Sequence, residues 1–507
     1  MSLLALAFQD PDRIKPPVVE WYQLAPIISV FAAATVGVLV EAFVPAARRW
    51  SAQVGVAMVG LLASLLFVVK LWGDHAPKVV ADGVVSIDGP GLFMQGTLAA
   101  LAIASLLLLS ERSARSDPDA AVARELPTES FPLALFAVGG MMLFVSATNL
   151  LLLFVALEIL SLPLYLLTGL ARRRRILSQE GALKYFLLGA FSSAFFLYGL
   201  ALLYGYAGTT SFAGIRDATT VVGNNDVLLY AGLALLGVGL LFKVGAVPFH
   251  SWTPDVYQGA PTPITALMAA GTKVAAFGGL VRVLYVIGGE VVWDWRPAIW
   301  VVAILTMVVG AVVAVTQQDV KRMLAYSSIA HAGFILTGVA AANNVGLRGV
   351  LFYLLAYGFT VFGAFGIVTL VRDADGEATH LSKWQGLGRR SPLVASVFAF
   401  FLFALAGIPL TSGFTAKFGV FEAAVEGRAT PLVIVGVLSS AVAAFFYARV
   451  VVLMFFQEPA EDGPTVVLPS GPVAAALGLA VTVTVLLGVV PGEMVRIADV
   501  AARGFIR

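Results

Sequence analysis

Long apolar runs separated by short polar loops dominate this chain of 507 residues. A helix needs roughly 20 mostly apolar residues to cross a bilayer, and about fourteen runs approach or exceed that length. The runs are uniformly apolar rather than alternating at every second residue, which argues against membrane strands. The pattern therefore predicts an all-α polytopic membrane protein. The predicted spans are 24–44, 53–72, 92–110, 131–147, 149–168, 184–206, 227–247, 261–287, 297–316, 324–342, 348–371, 393–424, 431–456 and 472–491.

Two of the predicted helices are interrupted. The seventh runs into Gly245-Ala-Val-Pro248 while still apolar, and the twelfth contains Ala406-Gly-Ile-Pro409-Leu-Thr-Ser-Gly413. Proline removes a backbone donor and clashes with the preceding turn, so a helix breaks or kinks there. In lipid, a broken helix persists only where protein or a water-filled cavity satisfies the freed groups. Paired breaks of this kind are typical of transporters built from inverted repeats, although two ordinary proline kinks are the alternative.

The loop charges predict the orientation of the chain in the membrane. An even number of spans places both termini on one side, and Lys and Arg accumulate in cytoplasmic loops. The loops on the Arg48 side carry 17 basic residues, including the cluster Arg172–Arg175, whereas the opposite loops and the termini carry 11. We therefore expect both termini on the outer face.

Composition excludes several classes of function. Only 12% of the residues are charged and the net charge is +2, so no basic face is available for nucleic acid. The chain has no cysteine and only four histidines, which excludes disulfides and cysteine-held iron–sulfur clusters. Any redox cofactor must then belong to partner chains.

Ionisable residues in or next to the apolar spans are the candidate site. Glu158, Lys243, Lys273 and Lys417 lie deep in spans, and Lys184 opens the sixth span. A charge at the bilayer centre costs about 2.5–3.5 kcal/mol on insertion scales, so such residues are expected to face the interior and mark an ion pathway. The alternative for any one of them is a snorkelling side chain or a structural ion pair.

The choice of lysine is informative, because the chain has 23 Arg and only 9 Lys. Lysine can release its proton, whereas arginine stays charged in proteins. Lys243 can thus take up or release a proton according to whether Glu158 stays close. His331 is a further candidate for the relay, with a satisfied interior histidine as the alternative. Arg282, near the end of the eighth span, is expected to be a snorkelling anchor.

Two motifs connect the chain to a known family. The tract PFHSWTPDVYQGAPTP at 248–263, between Lys243 and Lys273, strongly resembles the antiporter-like subunits of respiratory complex I. Glu158 in the fifth span and DVKRMLAYSSIAH at 319–331 extend the resemblance over nearly the whole chain. Three features are most similar to the N subunits of NADH–quinone oxidoreductase. They are Lys417 in the twelfth span, the residues DVYQGAPTP within the tract, and the short end of the chain after the last span.

The resemblance implies a fold and a division of the chain. The family fold has two inverted five-helix repeats, here 131–287 (spans 4–8) and 297–456 (spans 9–13). Residues 1–130, before the repeats, contain the N-terminal segment and spans 1–3. Residues 472–507, after the repeats, contain span 14 and the C-terminal tail.

The resemblance also implies roles. Glu158 would pair with Lys243. Lys184 and Lys273 would be the connecting lysines of the proton path. Lys417 would be the terminal lysine, near the outer half-channel. NADH oxidation and quinone reduction, with FMN and iron–sulfur clusters, would lie on partner subunits in a bacterial cytoplasmic membrane. A subunit of a multi-chain sodium/proton antiporter and a structural spacer with a vestigial channel are the alternatives.

Overall fold

The computed structural model describes residues 18–74, 77–111, 126–171, 175–221, 226–373, 376–459 and 463–506. Helices make up most of these ranges. Arg172–Arg174, on which the predicted orientation partly depends, lie outside the described residues.

The fourteen predicted spans are confirmed. Among the described residues, twelve helices are long and apolar enough to cross a membrane. The shorter apolar helix Ser130–Phe144 supplies the fourth span, and the pair Pro392–Ala406 and Ser412–Glu426 together supply the twelfth. In chain order the helices are α1 (Trp21–Phe43), α2 (Ala46–Gly73), α3 (Gly89–Leu109), α4 (Ser130–Phe144), α5 (Leu150–Thr168), α6 (Arg175–Ala207), α7 (Phe212–Thr219), α8 (Asp226–Val244), α9 (Trp252–Gly259), α10 (Thr262–Ile287), α11 (Val292–Thr316), α12 (Val320–Ala340), α13 (Asn344–Val368), α14 (Leu387–Arg390), α15 (Pro392–Ala406), α16 (Ser412–Glu426), α17 (Thr430–Phe456), α18 (Gly471–Val489) and α19 (Gly492–Arg503).

Contacts between loops show that successive helices cross in alternating directions. At one face, Asp88 before α3 meets Arg282 near the end of α10 and the backbone N–H of Ile506 after α19. At the other face, Asp255 on α9 meets Arg322 in the first turn of α12. Each five-helix group contains an odd number of crossings, so the second group starts on the face opposite to the first. This is the inverted relation that the family fold requires.

Both predicted helix breaks are present and have the same form. The helix α8 ends at Val244 and α15 ends at Ala406, and a glycine in the left-handed region follows each of them. The φ angles are 73° at Gly245 and 84° at Gly407. Glycine adopts this conformation without steric cost, so it is well suited to end a helix inside the bundle. The last carbonyls of α8 and α15 are thereby left without helical partners.

The helix α10 contains two π-helical turns that the sequence did not predict. They cover Met268–Thr272 and Val283–Ile287, and Lys273 directly follows the first. Such turns carry no clear sequence signal, and they occur frequently at functional sites.

The core lies around three central helices. The most apolar stretches of α10 and α13 are fully buried in the protein and that of α12 is 94% buried, whereas only about a third of α2, α17 and α18 is buried. The central helices therefore hold two of the candidate residues, Lys273 and His331, away from lipid. Short strands cover the two faces: β1 (Lys78–Val80) pairs with β2 (Val85–Ile87), and β3 (Val371–Asp373) lies between β4 (Gly376–Glu377) and β5 (Thr465–Val466).

Arg282 is a buried structural residue, and the prediction that it snorkels to the surface is wrong. Its guanidinium donates from Nη2 to Asp88 Oδ1 at 2.6 Å and from Nη1 to Oδ2 at 3.0 Å, and both side chains are almost fully buried. Its Nε donates to the carbonyl of Val145. Arginine matches a carboxylate with two parallel hydrogen bonds, which suits it to such a buried pair.

Candidate functional site

Glu158 and Lys243 approach the same face of α5 but are not in direct contact. Glu158 Oε1 accepts a hydrogen bond from Ser193 Oγ on α6 at 2.6 Å. Lys243, which is only 3% exposed, donates from Nζ to Ser161 Oγ at 2.8 Å. Ser161 follows Glu158 by three residues, so the two side chains are neighbours on one helix face. In this structure the ammonium group of Lys243 thus binds a hydroxyl that lies one helical turn from the Glu158 carboxylate.

Two aromatic rings complete the surroundings of Lys243. Its Nζ lies 5.3 Å from the ring centroid of Tyr185 and 5.7 Å from that of Tyr165, within the range of cation–π attraction. Tyr185 in turn stacks on Trp252 of α9, with centroids 4.7 Å apart and an angle of 2° between the planes. Trp252 donates from Nε1 to the carbonyl of Phe242, beside Lys243. The segment beyond the break therefore forms one wall of the Lys243 pocket.

Lys273 places its charge at the first helix break. It is buried in α10, and its Nζ donates to the carbonyl of Val244 at 2.5 Å. Val244 is the last residue of α8, so the ammonium group lies on a carbonyl that the interrupted helix leaves free. A Cβ on Gly245 would lie 2.9 Å from Thr253 Oγ1, too close for a side chain, so a glycine fits this position beside the ammonium group.

Lys417 places its charge at the second break in the same way. Its Nζ donates to the carbonyl of Ala406 at 2.7 Å and to that of Leu405 at 3.2 Å, at the end of α15. It also donates to Ser440 Oγ on α17 at 2.7 Å. The C-terminal end of a helix carries partial negative charge, which stabilises a nearby cation. Both breaks thus present a negative helix end to a buried lysine.

His331 lies between the two breaks within a group of hydroxyls. Its Nδ1 is 2.8 Å from the hydroxyl of Tyr353, and its Nε2 is 3.5 Å from that of Tyr447. The hydroxyl of Tyr447 also shares a hydrogen bond with Ser327. The ring of Phe334 lies 5.7 Å from the His331 ring, and Lys417 Nζ lies 4.9 Å from the centroid of the same Phe334 ring. His331 is therefore an interior histidine with polar neighbours, and its place in a proton relay stays a prediction.

Sequence reasoning missed several buried hydroxyls near these residues. Among the described residues, the side-chain oxygens of five members of α6, α9, α12 and α13 are buried without a hydrogen-bond partner from the protein. They are Tyr185, Thr253, Tyr257, Ser328 and Tyr357. Buried polar groups of this kind normally bind ordered water. Single hydroxyls inside apolar runs give no periodic signal, which is why the sequence pattern did not reveal them.

Lys184 lies apart from the buried lysines, at the face that carries α9. Its side chain is 41% exposed, and its Nζ is 2.6 Å from Glu180 Oε1 and 2.7 Å from Asp255 Oδ2. Asp255 Oδ1 accepts from Arg322 Nη1 at 2.5 Å. Burial acts to raise the pKa of the Asp255 carboxyl, but the hydrogen bonds and charges of Lys184 and Arg322 outweigh it and hold the pKa below its ordinary value. The carboxylate is therefore ionised at neutral pH.

Comparison with known proteins agrees with this arrangement. Residues 147–443 match the family described as "NADH:quinone oxidoreductase/Mrp antiporter, TM". NADH-quinone oxidoreductase subunit N from Acidothermus cellulolyticus is 59% identical to the chain, with 99% of each chain covered. The same subunit from Parafrankia sp. is 58% identical, again with 99% of each chain covered.

Solved structures show the same relation. A chain of respiratory complex I from Thermus thermophilus with bound aureothin is 32% identical, with a TM-score of 0.78, and the match covers 94% of this chain and 99% of that chain. A chain of the Mrp complex from Dietzia sp. has a TM-score of 0.81 over 96% of this chain and 97% of that chain, but only 22% identity, so it shows the fold alone. The matched residues and the identity over the full length together show that the chain belongs to the NADH:quinone oxidoreductase/Mrp antiporter family, as a subunit N of NADH-quinone oxidoreductase.

Proposed function

We propose that this chain translocates protons as a membrane-arm subunit of NADH–quinone oxidoreductase, respiratory complex I, in the bacterial cytoplasmic membrane. The observation that carries the proposal is the pair of lysines at the two breaks. Lys273 and Lys417 each bind the free carbonyls at the end of an interrupted helix. Such helix ends are the places where transporters coordinate protons and cations.

The buried groups form a row in which a proton can be passed on. Lys243 lies in the last turn of α8 and contacts Ser161, one turn from Glu158. Lys273 lies on α10 and binds the carbonyl at the end of α8. His331 and its hydroxyls follow, and Lys417 ends the row. Lysine and histidine can both exchange a proton, and hydroxyls with trapped water can relay it between them.

Glu158 acts on this row by charge. A carboxylate close to Lys243 stabilises the ammonium form, and a carboxylate that moves away favours proton release. Free energy from redox chemistry on other subunits would shift this balance. Lys184 would serve as a connecting group at the face that carries α9.

The redox chemistry belongs to partner chains in this proposal. The chain contains no cysteine to hold an iron–sulfur cluster, so the clusters, FMN, and the sites for NADH and quinone are assigned to other subunits of the complex. We expect the purified protein to co-migrate with chains that show flavin and iron–sulfur absorbance. A functional complex that contains this chain and no redox subunit would contradict this assignment.

A subunit of a sodium/proton antiporter is the second candidate, because the Mrp complex shares the fold. The subunit N relatives are 58–59% identical over the full length, whereas the identity to the Mrp chain is 22%, so this candidate is the weaker fit.

The test compares lysine variants in the whole complex reconstituted into liposomes. Lys273→Ala and Lys417→Ala should lower proton pumping per NADH oxidised to about a tenth or less, because a positioned proton-transfer group is lost. Lys70→Ala is the matched control, since Lys70 is exposed in the last turn of α2. Normal pumping by both test variants would refute the proposed row.

A further inference from the structure

Asp255 binds one cation from each half of the protein. Lys184 belongs to α6, in the first five-helix group, and Arg322 belongs to α12, in the second. The two oxygens of the Asp255 carboxylate are divided between them, at 2.7 Å to Lys184 and 2.5 Å to Arg322. Among the described residues, the structure records no other carboxylate with ion pairs to both α6 and α12.

The short helix that carries Asp255 is wedged between the two halves. A Cβ on Gly181 of α6 would lie 3.2 Å from the carbonyl of Asp255, and Gly259 of α9 packs directly against the backbone of Leu177. Toward the second half, Gln258 of α9 hydrogen-bonds to Arg322 and to Asp319 at the start of α12. The helix α9 therefore packs closely on the backbone of α6 and contacts the start of α12 through the polar side chains of Asp255 and Gln258.

The same helix forms a wall of the Lys243 pocket. Trp252, three residues before Asp255, stacks on Tyr185, and the Tyr185 ring lies 5.3 Å from Lys243 Nζ. A displacement of α9 would therefore move this aromatic wall relative to the lysine.

We propose that Asp255 is a positioning residue whose charge holds α9 between the two halves and thereby fixes the Trp252–Tyr185 wall beside Lys243. The inference rests on the proposed function only in giving Lys243 a role in proton transfer. Asp255 itself does not need to carry a proton, since its carboxylate is kept ionised by the two cations.

The charge of Asp255 matters more than its shape. Asparagine has nearly the same size and still accepts a hydrogen bond, so Asp255→Asn preserves the packing of α9. It leaves Arg322 with the neutral side chains of Gln258, Gln317 and Tyr326 as partners, while Lys184 retains Glu180. An unbalanced, partly buried cation at the boundary between the halves should loosen the contact between α9 and α12.

The first test measures the position of α9 without measuring pumping. The chain has no cysteine, so Val256→Cys, in the buried face of α9, introduces its only thiol. Labelling of this thiol by a membrane-impermeant maleimide in the whole complex, followed by mass spectrometry of this chain, reports access to α9. Asp255→Asn should speed labelling by at least about threefold, because coupling within one ion-pair network corresponds to factors of roughly 2 to 150.

Three further variants separate charge from packing. Labelling should stay slow in Asp255→Glu, because this variant keeps the negative charge. It should also be slow in the double variant Asp255→Asn with Arg322→Gln, because the unbalanced cation is then removed. Glu180→Gln is the matched control, since Glu180 binds Lys184 but lies on the same helix. It should leave labelling unchanged.

The second measurement is proton pumping per NADH oxidised in the same Asp255 variants. It should fall in Asp255→Asn and recover in the variants that restore slow labelling. Unchanged labelling in Asp255→Asn would overturn the inference whatever the pumping shows. Faster labelling together with normal pumping in the lysine variants would refute the proposed function while leaving the positioning role intact.

Discussion

Arginines and lysines that bind helix ends have different roles at the level of single residues. Arg282, Arg296 and Arg449 each donate to backbone carbonyls at the ends of helices near the faces of the bundle. Lys273 and Lys417 donate to carbonyls at breaks inside it. Arginine keeps its charge and offers several donors, which suits permanent caps, whereas lysine can release its proton.

The sequence predicted which residues are buried better than it predicted their partners. Apolar runs around Lys243, Lys273 and Lys417 identified these lysines, because a charge in such a run is costly and rarely accidental. The partner of Arg282 was not predictable, since Asp88 is 194 positions away and lies at the start of another span. The ion pair of Lys184 with Asp255 was not predictable either, since the two residues are 71 positions apart.

Substitution of Lys243 should separate pumping from assembly. Lys243→Ala should abolish proton pumping, because the proton loses its acceptor. Lys243→Arg should keep the complex assembled, since the charge remains, yet pumping should still fall at least about tenfold, because arginine does not release a proton. Glu158→Gln should weaken pumping as well. Pumping and NADH oxidation measured side by side in liposomes test this, and full pumping by Lys243→Arg would exclude a relay through this residue.

The buried pair of Arg282 and Asp88 should matter for stability. Asp88→Ala leaves a buried guanidinium without its carboxylate, which should destabilise the protein by about 3–5 kcal/mol. The double variant with Asp88→Leu and Arg282→Met should be less destabilised than Asp88→Ala, because no unpaired charge remains. The amount of assembled complex and its thermal midpoint are the measurements. A double variant at least as unstable as the single one would contradict this account of the pair.

At the level of elements, the breaks were predictable and the irregular turns were not. Glycine and proline mark the breaks after Val244 and Ala406 directly, because each residue type restricts or permits backbone angles in a known way. The π-helical turn Met268–Thr272 arises from packing around the bundle centre and has no comparable signal. The short helix α9 was not predicted, because its eight residues are too few for a clear helical period.

Gly407→Ala should disturb the second break specifically. Gly407 has a φ of 84°, and a Cβ there would lie 3.0 Å from Lys417 Cδ. The left-handed conformation should cost about 1–2 kcal/mol, and the new methyl group should displace the lysine, so proton pumping should fall. The matched control is Gly419→Ala on the same helix as Lys417, where a Cβ has an ordinary contact of 3.8 Å. Equal pumping in the two variants would argue against a defined site for the ammonium group.

At the level of the whole molecule, the number of membrane crossings was predictable from the sequence. Fourteen long apolar runs leave few other ways to place the chain in a bilayer. The relation between its halves was predicted from the paired helix breaks and from the family resemblance. Loop contacts in the structure establish which loops lie on the same face, but the side of the membrane that each face meets depends on the loop charges.

We predict that both termini lie on the outer side of the membrane. The Arg48 side carries 17 basic loop residues and the opposite side 11, which favours the first as cytoplasmic. A reporter fused after Arg507 should be active if it requires the outer compartment and inactive if it requires the cytoplasm. Activity of only the cytoplasmic reporter would reverse the orientation of the whole chain.

The carbonyls that bind Lys273 and Lys417 belong to the main chain, and this has a consequence for tolerance to substitution. Every amino acid at Val244, Leu405 or Ala406 supplies the same carbonyl, so changes of side chain there leave the lysine ligands in place. The positions that such a site cannot vary freely are the glycines that turn the chain, Gly245 and Gly407. An ion site of this kind is protected from most point mutations and depends on the residues that shape the backbone rather than on those that line the site.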